Sequence, residues 1–189
     1  MTIPRINIFS AADFRKWLDK NHLKEKIVEL LIHKRHTGKY FPSHRELLEE
    51  AICYGWIDTI IRRIDDDRFI RTFQKRTEKS SWSLNTLGYA RNLIKEKRMT
   101  KHGFKFYYEG RKKKALDHGI PRNPRIPIYL IKKLKKDEIA KENFNSLTPS
   151  TRRTYLRWLL MAKTENTREK RVQRIIKRMN EKDWRVLRF

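Results

Sequence analysis

The chain has 189 residues and a formal net charge of +25, from 47 Lys and Arg against 22 Asp and Glu, with 38% hydrophobic residues and 11% aromatics. That length suits one domain, 1–189, large enough to bury a core, and nine Phe, seven Tyr and five Trp argue against the low-aromatic signature of disorder. A single cysteine, Cys53, excludes an internal disulfide framework. No apolar run approaches the roughly 20 residues of a membrane span, and Met1–Ile6 does not read as a secretory signal, so a cytoplasmic protein is expected.

The charge is uneven along the chain. Residues 1–50 hold ten cations and seven anions, residues 51–110 thirteen and seven, and residues 111–189 twenty-four and eight. The positive excess is therefore mainly a property of the helix-rich half from residue 111. It fits three settings: nucleic acid, an anionic surface, or a lineage whose proteins are rich in Lys and Arg.

In chain order, Ser10 is placed to cap a helix over 11–21, with Asp13 in its first turn and Phe14, Trp17 and Leu18 on one face. Residues 27–32 read as a short strand and 35–39 as a turn. Ser43 and Glu46 form a capping box, opening a helix that turns Leu47, Leu48, Ala51 and Ile52 inward and stops near Gly55. Residues 57–64 and 69–76 predict a β-hairpin about a turn at 65–68. A helix follows over 83–97 and another from Thr100; the prolines at 121, 124 and 127 mark a loop. Short helices are expected over 130–134 and 137–147. Thr148-Pro149 starts another, and Val172, Ile175, Ile176 and Met179 give the apolar stripe of the last. The expected fold class is α+β, a small antiparallel sheet with a hairpin in the N-terminal half and a helical C-terminal half.

Residues 51–58 (Ala-Ile-Cys-Tyr-Gly-Trp-Ile-Asp), the stretch with Arg76, Lys79-Ser80 and Trp82-Ser83-x-Asn85, Arg98-Met99, and the closing Ala162-Lys163 and Thr167-Arg168-x-x-Arg171 stand in a recognisable order. Together they resemble the YdeI/OmpD-associated, or bacteriocin-protection, family over about residues 11–180. One departure is Lys75, where a proline usually precedes the arginine. The resemblance implies a stress-protection or binding role and no particular reaction.

The same residues have a physical reading. A hairpin about 65–68 carries Asp58 towards Arg76, so Trp56, Asp58, Arg76, Ser80, Trp82, Ser83 and Asn85 would gather at a sheet edge beside a helix N-terminus, a geometry that suits an anionic small molecule. The plain alternative is a buried Asp58–Arg76 ion pair, Ser83 as a helix cap and both tryptophans in the core. Lys163, Arg168 and Arg171 serve either as further anion or phosphate-backbone contacts or as a solvated helix face capped by Thr167. Basic runs at 111–114, 132–136 and 168–178, interleaved with Tyr107, Tyr108, Tyr129 and Trp158, support a second reading: nucleic-acid binding by the basic C-terminal half. An enzyme acting on an anionic small molecule is a third. No cofactor is called for and no metal site: His33-Lys-Arg-His36 lacks a second ligand pair. Cys53 and Ser80 have no oriented base at readable spacing, so no catalytic residue is assigned.

Overall fold

The structure, a computed structural model, describes residues 3–39 and 41–183. The chain divides into two compact units, residues 1–116 and 117–189.

The first unit is built on a four-stranded sheet: β1 (Arg5–Asn7), β2 (Ile27–His33), β3 (Trp56–Arg63) and β4 (Arg68–Lys75), in the order β1-β2-β4-β3. The hairpin of β3 and β4 and the β2–β4 pairing are antiparallel, as expected. A three-residue strand that no sequence pattern announces, β1, adds parallel to β2. Alternation in β2 sends Val28, Leu30 and Ile32 inward, while Glu29 on the opposite face binds Arg5 at 2.7 Å and Arg62 at 3.4 Å. Four helices belong to this unit: α1 (Ala11–Asn21), α2 (His44–Cys53), α3 (Leu84–Lys95) and α4 (Lys101–Arg111). Phe14 and Leu18 of α1, Leu47, Ala51 and Ile52 of α2, Ala90 and Leu93 of α3 and Tyr107 of α4 share one core with Val28, Leu30, Trp56 and Phe73 of the sheet.

The caps read from sequence form. Ser10 and Ser43 accept from the Asp13 and Glu46 amides at 3.1 and 3.2 Å, and both acidic side chains return the bond to the cap amide. Each such cap is worth about 1 kcal/mol. Gly55, between α2 and β3, has φ +73°, and a Cβ there would also meet Phe106 and His102, so this turn needs glycine.

The second unit is helical among the described residues: α5 (Ile128–Leu134), α6 (Glu138–Ser146), α7 (Pro149–Leu160) and α8 (Glu165–Asn180). Leu130, Leu134, Phe144, Leu156, Leu159, Val172, Ile175 and Met179 make its own core. The proline-marked segment before α5 is held by Arg157, which binds Asp117 at 2.7 Å and the Pro121 carbonyl at 2.7 Å. The α+β class is therefore correct: the sheet lies in the N-terminal half and the C-terminal half is helical. No helix is long and apolar enough to cross a membrane among the described residues.

Candidate functional site

The segment that leaves β4 and enters α3, residues 76–83, carries the densest group of expected site residues. Arg76 follows the last strand residue, and its amide donates to the Gly55 carbonyl at 2.8 Å, which extends the β3–β4 pairing by one step. Its side chain then turns inward and is only 2% exposed. The guanidinium lies 3.7 Å from the ring centroid of Trp82, a close cation–π stack. Nη1 donates to the Ser81 carbonyl at 3.1 Å. Nε and Nη2 are buried and have no hydrogen-bond partner among the described residues. Burial pushes the Arg76 pKa down to about 9, with the field of Asp58 acting weakly against it.

Asp58 does not bond to Arg76. It projects from β3 opposite Phe73, and its carboxylate accepts from His44 Nε2 at 2.9 Å and Arg71 Nη1 at 3.0 Å. Burial works to raise its pKa, yet the His44 bond and the charges of His44 and Arg71 outweigh it and hold the group below the usual carboxylate range. The buried Asp58–Arg76 pair is thus replaced by a His44–Asp58–Arg71 cluster, which leaves the Arg76 charge without a carboxylate in contact. His44 was not singled out in the sequence, although its place as the first residue after the Ser43 cap aims it at the start of β3.

Trp56 is fully buried and meets Trp17 edge-on at 5.7 Å. Its Nε1 also has no partner among the described residues. Ser80 closes a tight turn, its Oγ accepting from the Thr77 amide at 2.9 Å. Ser83 caps α3, accepting from the Thr86 amide at 3.1 Å. Asn85 is exposed on the first turn of α3 and borders a separate shallow groove with Tyr89 and Arg91.

A cleft of about 250 Å³ lies between the 76–83 segment and α4. Thr77, Glu78, Ser80 and Trp82 line one wall; Lys105, Phe106, Glu109, Gly110 and Lys113 line the other, so two lysines face two carboxylates. Trp82 separates this cleft from Arg76, with one ring face on the guanidinium. The α4 wall is the part that sequence reading missed. A signal existed: Gly103, Tyr107 and Gly110 recur at i, i+4 and i+7, and all three are buried. A Cβ on Gly110 would stand well inside the 3.0 Å that real Cβ atoms keep, against the Trp82 indole. The glycine is what lets the indole lie against the helix.

The remaining candidates fall elsewhere. Cys53 is buried, and burial pushes its thiol pKa up to about 11, so it is inert rather than nucleophilic. Among the described residues no group of His, Cys, Asp and Glu could hold a metal ion. In the second unit Lys163 is exposed in the loop between α7 and α8. Arg168 lies over Tyr129 at 5.5 Å. Arg171 lies over Trp158 at 4.8 Å and donates to the Trp158 carbonyl, with its pKa lowered by burial. Two of the three residues from the closing signature thus have structural partners within their own unit.

Comparison with known proteins follows the same division. Residues 6–106 match the family model described as Domain of unknown function (DUF8412). Residues 123–182 match the model described as Bacteriocin-protection, YdeI or OmpD-Associated, the family that the sequence resembles. The interval between the two matches contains the boundary between the structural units, at residues 116 and 117. No curated protein and no solved structure matches the chain.

Proposed function

The chain belongs to the family described as Domain of unknown function (DUF8412), with a YdeI/OmpD-associated segment after it, and we propose that its first unit binds a small anionic molecule in the cleft between residues 76–83 and α4. One observation carries this reading: a guanidinium that is 2% exposed, stacked on a cleft-lining tryptophan, with two donors unbonded and no carboxylate in contact. A buried cation is costly unless something neutralises it. A carboxylate or phosphate admitted by a rotation of the indole would meet Nε and Nη2 in a bidentate contact and neutralise the charge. Lys105 and Lys113 balance the Glu78 and Glu109 carboxylates of the lining, with Lys113 donating to the Glu78 carbonyl, so the uncompensated positive charge at the cleft is that of Arg76. The Thr77 and Ser80 hydroxyls supply neutral donors.

The role is binding rather than turnover, because Ser80 spends its oxygen on the Thr77 amide and Cys53 is sealed in the core. The description of the family matched at 123–182 names bacteriocin protection, and we place the binding role in such a protective, stress-related setting in the cytoplasm.

The test is thermal denaturation of the full chain against a panel of phosphorylated and carboxylated metabolites at millimolar concentration. A ligand at 100 times its Kd stabilises by about 2.7 kcal/mol, a readily seen shift in Tm. Arg76→Met should keep the stack on Trp82 in part and lose the response. Lys105→Met, at an exposed position, should weaken it without touching the core. No shift across the panel, or an unchanged shift in both variants, overturns the proposal.

A further inference from the structure

The outward face of α4 carries an arrangement that the cleft does not use. Phe104 and Tyr108 are 46% and 43% exposed. They stand one helical turn apart, with ring centroids 6.3 Å apart and planes inclined by only 20°. The Arg111 guanidinium lies 5.0 Å from the Tyr108 centroid and the Lys112 ammonium 4.5 Å from it. Residues 101–114 hold six cations and one carboxylate, Glu109, which Lys112 binds at 2.9 Å. Lys101, Lys105, Arg111 and Lys112 are all exposed.

The packing of α4 does not require these rings. The helix is anchored by its opposite face, where Gly103, Tyr107 and Gly110 are buried. At its start, the cap residue Thr100 donates through Oγ1 to the Cys53 carbonyl at 2.6 Å. Two large aromatic side chains, roughly parallel and left in water among cations, form a patch whose burial would be favourable on binding.

Partner chemistry follows from the combination. Single-stranded nucleic acid presents phosphates and unpaired base faces together, and base–aromatic stacking with cation–π support is sequence-tolerant. A duplex offers the phosphates but keeps its base faces covered. An anionic bilayer rewards a broad apolar helix face that can sink below the headgroups, whereas the exposed apolar groups on this face are only two rings, one of them already overlain by cations. We propose that the outer face of α4 binds single-stranded nucleic acid without sequence preference, bases stacking on Phe104 and Tyr108 and phosphates meeting Lys101, Arg111 and Lys112. At 1.5 Å per residue the helix is about 16 Å long, room for roughly three extended nucleotides. The contact lies in the first unit and takes in Arg111 and Lys112, the start of the 111–114 run with which the basic half opens.

The experiment is fluorescence anisotropy of the full chain with fluorescein-labelled dT15, its duplex with dA15, and phosphatidylserine vesicles, each across about 50 to 200 mM salt. Single strand is expected to bind more tightly than duplex. Phe104→Ala with Tyr108→Ala should weaken dT15 binding by about thirty-fold or more at fixed salt while leaving the salt slope alone, because two stacked bases are lost and each is worth about 1–3 kcal/mol. Phe104→Trp with Tyr108→Trp should retain binding, which separates stacking from any disturbance of the helix. Arg111→Gln with Lys112→Gln should lower the slope by about 1.4, two phosphates at about 0.7 each. Equal affinity for duplex and single strand, full binding by the double-alanine chain, or binding to vesicles alone overturns the proposal. Arg76→Met should not change dT15 binding, and the double-alanine chain should keep any anion-induced thermal shift, so failure of one reading is distinguishable from failure of the other.

Discussion

Three helical glycines should answer alanine substitution in different ways, because their surroundings differ although their sequence contexts do not say so. Gly88 in α3 has no atom within 4 Å of where its Cβ would stand. Alanine there removes the flexibility penalty of a mid-helix glycine and should stabilise by about 1 kcal/mol. In α4 the Cβ of Gly103 would be driven into the carbonyl of Cys53, which is backbone and cannot rotate away. The same carbonyl accepts from the Thr100 amide at 3.1 Å and its hydroxyl at 2.6 Å. Overpacking costs about 1–3 kcal/mol, and loosening one of those bonds about 1 more. With the gain in helix propensity of about 1 kcal/mol set against it, Gly103→Ala should destabilise by about 1–3 kcal/mol. Gly110→Ala meets a side chain instead, the buried Trp82 indole held against Arg76. The indole can yield a little, so a smaller loss of about 0–2 kcal/mol is expected by the same reckoning. Urea denaturation followed by far-UV circular dichroism reads these as shifts in midpoint at constant m. If Gly103→Ala is as stable as the parent chain, the close approach of α4 to the end of α2 is wrong; a less stable Gly88→Ala would contradict the open space beside α3.

Two further outcomes follow from charged groups. The folded Asp58 carboxyl titrates below its ordinary value, so the stability it contributes is full above the ordinary carboxylate pKa of about 4 and is lost as pH falls through the lower folded value. Urea midpoints should therefore drop between about pH 5 and pH 2.5, and drop less in Asp58→Asn; parallel curves would rule out a role for the His44–Asp58–Arg71 cluster. Glu50, 6% exposed, takes Arg15 at 2.7 Å and Arg98 at 2.6 Å. Breaking a buried pair costs about 3–5 kcal/mol, but the Arg15 and Arg98 side chains are 34% and 35% exposed and solvent screens them. Glu50→Gln should therefore destabilise by about 1–3 kcal/mol, and a chevron or urea curve that matches the parent would contradict it.

Local features were legible because they depend on neighbours in sequence. The Ser10 cap, the Ser43 capping box, the Pro149 helix start and the hairpin turn near 65–68 involve residues within a few positions of one another, and each forms; at Ser10 the structure adds the reciprocal Asp13 bond that completes a second box. The last helix buries Val172, Ile175 and Met179, the stripe its spacing announces. What escaped was long-range. Three residues are too few to show a strand period, so β1 could be seen only once β2 stood beside it. The partner of Asp58 could not be chosen from sequence either: Arg71 and Arg76 both lie on the returning strand or at its end, and the register together with the position of His44 at the head of α2 decides between them.

The sequence by itself determined the helix caps, most of the apolar helix stripes and the excess of positive charge, since periodicity, capping chemistry and composition are local or global sums that need no fold. Only the tertiary structure decided where charge is left unbalanced. The +25 total says nothing about which cation is buried; that depends on Arg76 entering the core behind Trp82 while Asp58 is drawn to Arg71 and His44. Nor could it say that Phe104 and Tyr108 remain in water while Tyr107 between them does not. That follows from which face of α4 the two glycines allow to approach the Cys53 carbonyl and the Trp82 indole, a matter of contact between segments far apart in the chain.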